Sequence, residues 1–167
     1  MSARIISLCG LAAILAAILS GCVVVADRAD VSIDRHDRAV ETYRVDGLPD
    51  WAPFSSVARA GDLLFVSGHL GRRPGTTDLV PGGAGPQTTQ TLANIETSLA
   101  LAGADLDDLV SCTIYLADMA DYEAMNVAYA AALGDHRPAR ATAGVEALAL
   151  GAAVEIECVA RAPRDKP

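Results

Sequence analysis

The sequence lacks the residue spacings by which proteins usually hold a metal ion or a phosphate group. Its 167 residues contain four cysteines and three histidines, but no Cys-x-x-Cys pair, His-Glu-x-x-His motif or cysteine–histidine cluster. Those patterns are the usual signatures of zinc sites. A glycine-rich loop of the kind that cradles phosphate is missing as well. These absences leave a metal site or a phosphate-bearing cofactor without support.

Basic residues are also scarce. The chain has 13 Lys and Arg against 21 Asp and Glu, a formal net charge of −8 at pH 7, and no run of basic residues. Because so acidic a protein repels a phosphate backbone, nucleic-acid binding would need a local basic patch. The composition therefore predicts no nucleic-acid partner.

The amino-terminal segment differs from the rest of the chain. Arg4 is followed by an uncharged stretch from Ile5 to Ala26, and a short positive start before an apolar stretch is typical of a secretory signal. Leu19-Ser-Gly-Cys22 resembles the lipobox of bacterial lipoproteins, which implies cleavage before Cys22 and acylation of that cysteine. We expect a signal peptide over 1–21, an acylated cysteine and polar tether over 22–40, and a globular domain over 41–167.

An uncleaved transmembrane helix is the alternative, since 22 uncharged residues are long enough to span a bilayer. The strongly apolar part, Ile5–Leu19, is only 15 residues long, and Ser20-Gly21 weakens the remainder. The lipoprotein interpretation is therefore favoured. Either interpretation places the domain outside the cytoplasm, on the periplasmic side or at the cell surface, anchored to a membrane.

Two segments have the periodicity of amphipathic helices. In each, apolar residues recur at steps of three, four and three, and a glycine follows: Leu92, Ile95, Leu99 and Ala102 before Gly103, then Tyr122, Met125, Tyr129 and Ala132 before Gly134. This spacing places each set on one helix face.

Other segments have the pattern of strands. We predict strands over 41–45, 63–67, 109–116, 140–146 and 153–160. Strands interspersed with two helices indicate an α/β (α+β) two-layer sandwich, a mixed sheet with both helices on one face. Two of these strands have an apolar side expected to face the helices: Val110, Cys112, Ile114 and Leu116 in one, and Val154, Ile156, Cys158 and Ala160 in the other. The opposite face carries Thr113, Tyr115, Glu155 and Glu157. It is either a solvated face or part of a cleft completed by another subunit.

The predicted processing leaves Cys112 and Cys158 as the only thiols of the mature domain. Two cysteines in an exported domain are able to form a disulfide. Both lie in the middle of predicted strands, on the apolar side, where an unpaired cysteine behaves as a small hydrophobic residue. The pattern favours unpaired, buried thiols.

Six sequence fragments together resemble one known family. They occur in this order: Asp62-Leu-Leu-Phe-Val-Ser-Gly68, Gln87-Thr-x-Gln-x-Leu-x-Asn-Ile95, Ala102-Gly-Ala-x-Leu-Asp-Asp108, Asn126-x-x-Tyr129, Arg137-Pro-Ala-Arg140 and Val154-Glu-Ile-Glu157. The chain thereby resembles the Rid (YjgF) family of reactive-intermediate imine deaminases from about Glu41 to Arg161. The resemblance implies a chorismate-mutase-like fold and a homotrimer, with the sheets lining a central barrel and the sites between subunits.

The resemblance also implies an activity. Family members hydrolyse 2-imino acids, which form from the enamines released by pyridoxal-phosphate enzymes, to 2-keto acids and ammonia. Neither a cofactor nor a metal is implied. The expected partners are a small 2-imino acid, two further copies of the chain and the membrane.

Five residues are the candidate site. Arg140 corresponds to the family arginine that binds the substrate carboxylate, which a guanidinium is able to hold through two hydrogen bonds. Glu155 corresponds to the glutamate that positions the attacking water and accepts its proton. Phe54, Gly68 and Thr142 are expected to line the substrate pocket.

The chain departs from the family pattern near this site. Phe54 and Ser56 stand where many members have tyrosine and glutamine, so one hydroxyl and one amide are missing. His69, where glutamine is frequent, is a minor candidate, and Asn126 is expected to serve packing.

The runner-up function is a non-catalytic trimeric module that binds small carboxylates, because Arg140 is present and the tyrosine hydroxyl is not. A ribonuclease or translation-inhibitor role is disfavoured by the predicted export and by the negative charge.

Overall fold

The computed structural model describes residues 39–163. The expectations about the signal peptide, acylation of Cys22 and most of the polar tether fall on residues 1–38, outside the described part, and residues 164–167 lie outside it too. Among residues 39–163, no helix is both long and apolar enough to cross a membrane.

A six-stranded sheet and two helices make up the domain. The strands are β1 Glu41–Tyr43, β2 Val57–Ala60, β3 Leu63–Leu70, β4 Leu109–Leu116, β5 Ala139–Gly144 and β6 Val154–Arg161. The helices are α1 Ala84–Ala100 and α2 Tyr122–Leu133, and short 3₁₀ turns occur at Leu106–Asp108, Met119–Asp121 and Ala149–Gly151. The strand order is β1-β2-β3-β6-β4-β5. Only β4 and β5 pair in parallel, so the predicted mixed sheet with two helices is confirmed.

The helices bury most of the faces that their periodicity indicates. Helix α1 buries Leu92, Ile95 and Leu99, whereas the expected Ala102 lies beyond its end and is half-buried. Helix α2 buries Met125 and Tyr129, but the expected Tyr122 and Ala132 are exposed and Leu133 is buried instead. Gly134 ends α2 with φ of 58°, a left-handed conformation that glycine adopts without a steric penalty.

The strand alternation also determines what the core contains. Val154, Ile156, Cys158 and Ala160 are buried, as predicted, and Glu155 and Glu157 lie on the other face of β6. In β4 the expected inward residue Val110 is instead 49% exposed, and Leu109 is buried. A bulge between Leu109 and Ser111 shifts the register there, so the period-two pattern begins only after it.

The prediction that Cys112 and Cys158 are unpaired is wrong. A disulfide joins them. The two residues lie opposite each other in the antiparallel β4–β6 pair, with Cα atoms 4.1 Å apart. Since β4 and β6 are separated by a helix and a strand along the chain, neither strand alone indicates that its cysteine faces the other. The disulfide connects the neighbouring strands β4 and β6 within the core.

Candidate active site

Arg140 lies on β5, the edge strand of the sheet. In the β4–β5 pair, Arg140 lies beside Cys112, whose side chain is buried under the helices. The Arg140 side chain therefore points to the same face of the sheet. Its Nη1 donates to Asn126 Oδ1 at 2.9 Å and its Nη2 donates to the Tyr122 hydroxyl at 3.2 Å. The Cζ atom lies 5.0 Å from the centroid of the Tyr129 ring, within the range of a cation–π contact. Helix α2 thus orients an exposed guanidinium.

Two hydroxyls beside Arg140 have no hydrogen-bond partner among the described residues. They are the buried hydroxyls of Tyr129 and Thr142. Burial raises the pKa of Tyr129, although the Arg140 charge opposes that effect, so its hydroxyl stays protonated at neutral pH. Buried polar groups normally have a partner. The Tyr129 and Thr142 hydroxyls are exceptions to this rule on the helix side of the sheet.

Glu155 lies on the opposite face of the sheet, in a cleft of about 510 Å³. This Glu155 cleft is lined by Leu48, Pro49, Trp51, Ala52, Phe54, Ser67, Gly68, Leu70, Arg72, Thr77, Ala149, Leu150 and Glu155. Burial raises the pKa of the Glu155 carboxyl, and the nearby Glu157 charge raises it further. A raised pKa makes the carboxylate a stronger base.

Gly68 permits the position of this carboxylate. A Cβ atom on residue 68 would lie 2.0 Å from Glu155 Oε1, which is far inside van der Waals contact. A bulge between Val66 and His69 interrupts the β3–β6 ladder at this point and brings the backbone against the carboxylate. The space beside the Gly68 backbone is therefore occupied by the Glu155 carboxylate.

Phe54 is on a loop that Arg44 holds. The guanidinium donates to the carbonyls of Pro49 at 2.8 Å, Phe54 at 2.6 Å and Ala52 at 3.3 Å. The Phe54 ring is 52% exposed and lines the Glu155 cleft. Sequence reasoning missed Arg44, because nothing in the local pattern shows that a side chain ten residues earlier binds this loop.

His69 connects β3 to α1 and does not enter the cleft. Its Nδ1 donates to the Ser67 carbonyl at 2.6 Å, and its Nε2 accepts from the Ser98 hydroxyl at 2.7 Å. Burial lowers the pKa of His69, consistent with a neutral ring.

Asn126, expected to serve packing, instead orients Arg140. The sequence does contain one indication of this role. Asn126 follows Tyr122 by four residues and precedes Tyr129 by three, so all three lie on one face of the helix.

A single chain does not bring the five candidate residues together. Arg140 and Thr142 lie on β5 towards the helices, whereas Phe54, Gly68 and Glu155 meet in the cleft on the other face. Strand β4 separates β5 from β6. In the part of the chain that the structure describes, no group of three or more His, Cys, Asp or Glu residues is placed to hold a metal ion.

Comparisons with known proteins identify the family. A family model described as "Endoribonuclease L-PSP" matches residues 47–162. Reactive Intermediate Deaminase A, chloroplastic, of Arabidopsis thaliana is 43% identical over 108 residues, which are 65% of this chain and 58% of that protein. A 2-iminobutanoate/2-iminopropanoate deaminase of Capra hircus is 39% identical over 108 residues, 65% of this chain and 79% of that protein.

A solved structure agrees with these sequence matches. The crystal structure of RidA from the Antarctic bacterium Psychrobacter sp. PAMC 21119 superposes with a TM-score of 0.67 at 33% identity, covering 72% of this chain and 98% of that one. The resemblance to the Rid proteins found in the six fragments is therefore confirmed, and the chain belongs to the L-PSP endoribonuclease (YjgF/Rid) family.

Proposed function

We propose that this protein hydrolyses 2-imino acids, and the enamines that tautomerise to them, to 2-keto acids and ammonia. The relatives named as imine deaminases support the reaction class. The observation that carries the proposal is that the structure contains an oriented carboxylate-binding group and, separately, a base. Arg140 is oriented to bind a carboxylate, and Glu155 is a half-buried base with a raised pKa.

The site is assembled between copies of the chain. Strand β5 pairs in parallel with β4 at the edge of the sheet, yet nearly all of it is exposed. Parallel strands are usually covered, and open edges are usually protected. Phe65 on the outer face is also 47% exposed. A closed ring of three copies, as the family resemblance implies, supplies this cover and brings Arg140 of one copy to Glu155 of the next.

The chemistry follows from Arg140 and Glu155. Arg140 holds the substrate carboxylate through charge-assisted hydrogen bonds. Glu155 accepts a proton from water as the water oxygen adds to the imine carbon. The C–N bond then breaks, and both water protons end on nitrogen by way of Glu155. Imine plus water thus gives keto acid plus ammonia.

The test uses the purified full-length protein with imine generated in place by an amino-acid oxidase. Ammonia release gives the rate, and calorimetry gives the keto-acid affinity. We expect Arg140→Ala to weaken keto-acid binding by about 10-fold or more. Glu155→Gln should lower turnover by about 10²–10⁴-fold and leave that affinity nearly unchanged.

The contrary outcomes are distinct. No rate above spontaneous hydrolysis in the parent protein would overturn the enzymatic proposal. If the parent binds keto acid through Arg140 yet has no such rate, the trimeric carboxylate-binding module is the better account. The missing hydroxyl at Phe54 favours that module, and Phe54→Tyr would then test whether the hydroxyl restores turnover.

We also propose that the protein is a lipid-anchored lipoprotein outside the cytoplasm. The Leu19-Ser-Gly-Cys22 sequence supports this location. The Cys112–Cys158 disulfide supports it independently, since structural disulfides are typical of oxidising compartments. Mass spectrometry of the membrane fraction should show a mature chain that begins at acylated Cys22. Cys22→Ala should abolish acylation and Cys9→Ala should not, whereas a mature chain that retains residues before Cys22 would contradict the proposal.

A further inference from the structure

The Glu155 cleft has a large apolar wall that the proposed chemistry does not use. Trp51 is 81% exposed, Leu150 is 56% exposed and Phe54 is 52% exposed, and all three line the cleft. The chain has only one Trp and two Phe. Exposed apolar side chains gathered beside a polar group typically mark a binding surface.

The wall is held in place before any ligand binds. Trp51 lies between residues whose carbonyls accept hydrogen bonds from Arg44, at Pro49 on one side and at Ala52 and Phe54 on the other. Leu150, across the cleft, has a φ of 60°, which a leucine rarely adopts and which the surrounding structure must maintain. A pre-formed wall loses little conformational entropy when a ligand covers it.

The reaction geometry points the substrate side chain at this wall. The imine carbon must lie near Glu155 for water attack, and the carboxylate extends towards Arg140 of another copy. The substituent on the imine carbon therefore occupies the remainder of the cleft. A volume of about 510 Å³ is in the range of pockets for ligands much larger than an alanine-derived imine.

Resting on the proposed function, we infer that the Glu155 cleft selects 2-imino acids with large apolar side chains, of leucine to phenylalanine size. Trp51 and Leu150 are the specificity-determining residues. A methyl group leaves most of the apolar wall in water, whereas an isobutyl or benzyl group covers it. Each additional methylene in such a pocket typically changes kcat/KM by about 10-fold or more.

The experiment compares imines generated in place from alanine, leucine and phenylalanine on the full-length protein. Calorimetry measures the affinity of the matching keto acids, namely pyruvate, 4-methyl-2-oxopentanoate and phenylpyruvate. We expect kcat/KM to be at least about 10-fold higher for the leucine-derived imine than for the alanine-derived imine. Trp51→Ala and Leu150→Ala should each remove most of this preference.

Leu101→Ala is the matched control, because Leu101 is an exposed leucine outside the cleft. It should keep the parental preference. Equal or higher kcat/KM for the alanine-derived imine would overturn the inference. So would a preference that survives both substitutions, or sedimentation showing that Trp51→Ala separates the subunits, since Trp51 would then be an interface residue.

The binding measurement separates this inference from the proposed function. Suppose that the bulky keto acids bind more tightly through Trp51 and Leu150 but no imine is hydrolysed. The enzymatic proposal then fails, and the inference that the cleft selects large apolar side chains is supported. If imines are hydrolysed without a side-chain preference, the enzymatic proposal stands and that inference fails. Absence of both binding and hydrolysis overturns both.

Discussion

Replacing Gly68 by alanine tests whether the Glu155 carboxylate must occupy its observed position. A Cβ atom at residue 68 would lie 2.0 Å from Oε1 and 3.0 Å from Cδ of Glu155. Non-bonded heavy atoms are stable at separations near 3.5 Å, so the carboxylate must move away by about 1–1.5 Å. The backbone itself tolerates the change, because φ of Gly68 is not positive.

A displacement of about 1 Å typically lowers an enzyme's rate by about 10²-fold. We therefore expect kcat for imine hydrolysis to fall about 10²-fold in the Gly68→Ala variant. KM should change little, because carboxylate binding depends on Arg140. The thermal unfolding temperature should not fall, since alanine at a compatible φ restricts the unfolded chain.

Ammonia release from imine generated in place is the assay, with Gly85→Ala as the matched control. A Cβ atom on Gly85 would have its nearest neighbour at 3.6 Å, so that variant should keep the parental rate. In a Glu155→Gln background, Gly68→Ala should cause little further loss, because the displaced group is already inactive. A Gly68→Ala variant with the parental kcat would refute the role assigned to the carboxylate position.

Three further predictions follow from the described residues. Glu157→Gln should move the acid limb of the kcat/KM profile to lower pH, because the Glu157 charge raises the pKa of Glu155; an unmoved limb would contradict this. Replacing Cys112 and Cys158 by alanine should lower the free energy of unfolding by about 4 kcal/mol for a 46-residue separation, and denaturant unfolding under oxidising conditions measures it. Burial lowers the pKa of His69 below its ordinary 6.5. The contribution of the neutral ring to the free energy of unfolding should therefore be complete above pH 6.5 and be lost as the pH falls through the lowered folded-state pKa. His69→Gln should reduce this acid-side loss in unfolding measured against pH, and an unchanged pH dependence would count against the assignment.

The sequence predicts much of the fold because burial follows a simple period. Helix α1 and strand β6 each bury one regular face, so steps of three and four, or of two, locate them. Strand β2 has only one fully buried residue, Val57, which is too little for an apolar pattern. The bulge near Val110 and the disulfide between Cys112 and Cys158 depend on how β4 and β6 pair. The sequence of one strand alone does not indicate that pairing.

The site was less predictable than the fold. The motifs locate Arg140 and Glu155 but not their separation onto opposite faces, because that depends on the register in which β4 pairs with β5 and with β6. Nor do they show that Asn126 orients the guanidinium. Trp51 and Leu150 escape detection because each is a single apolar residue in a loop, and only the fold brings them into one cleft.

Mixing two impaired variants tests the central claim most directly. If Arg140 of one copy works with Glu155 of the next, a trimer that combines Arg140→Ala and Glu155→Gln chains contains one site with both residues intact. Random assembly at equal amounts should then restore about a quarter of the parental rate of imine hydrolysis. At substrate concentrations well below KM, each variant alone should have less than about a tenth of the parental rate. Co-expressed chains whose combined rate is no higher than the mean of the two single variants would contradict a site shared between copies.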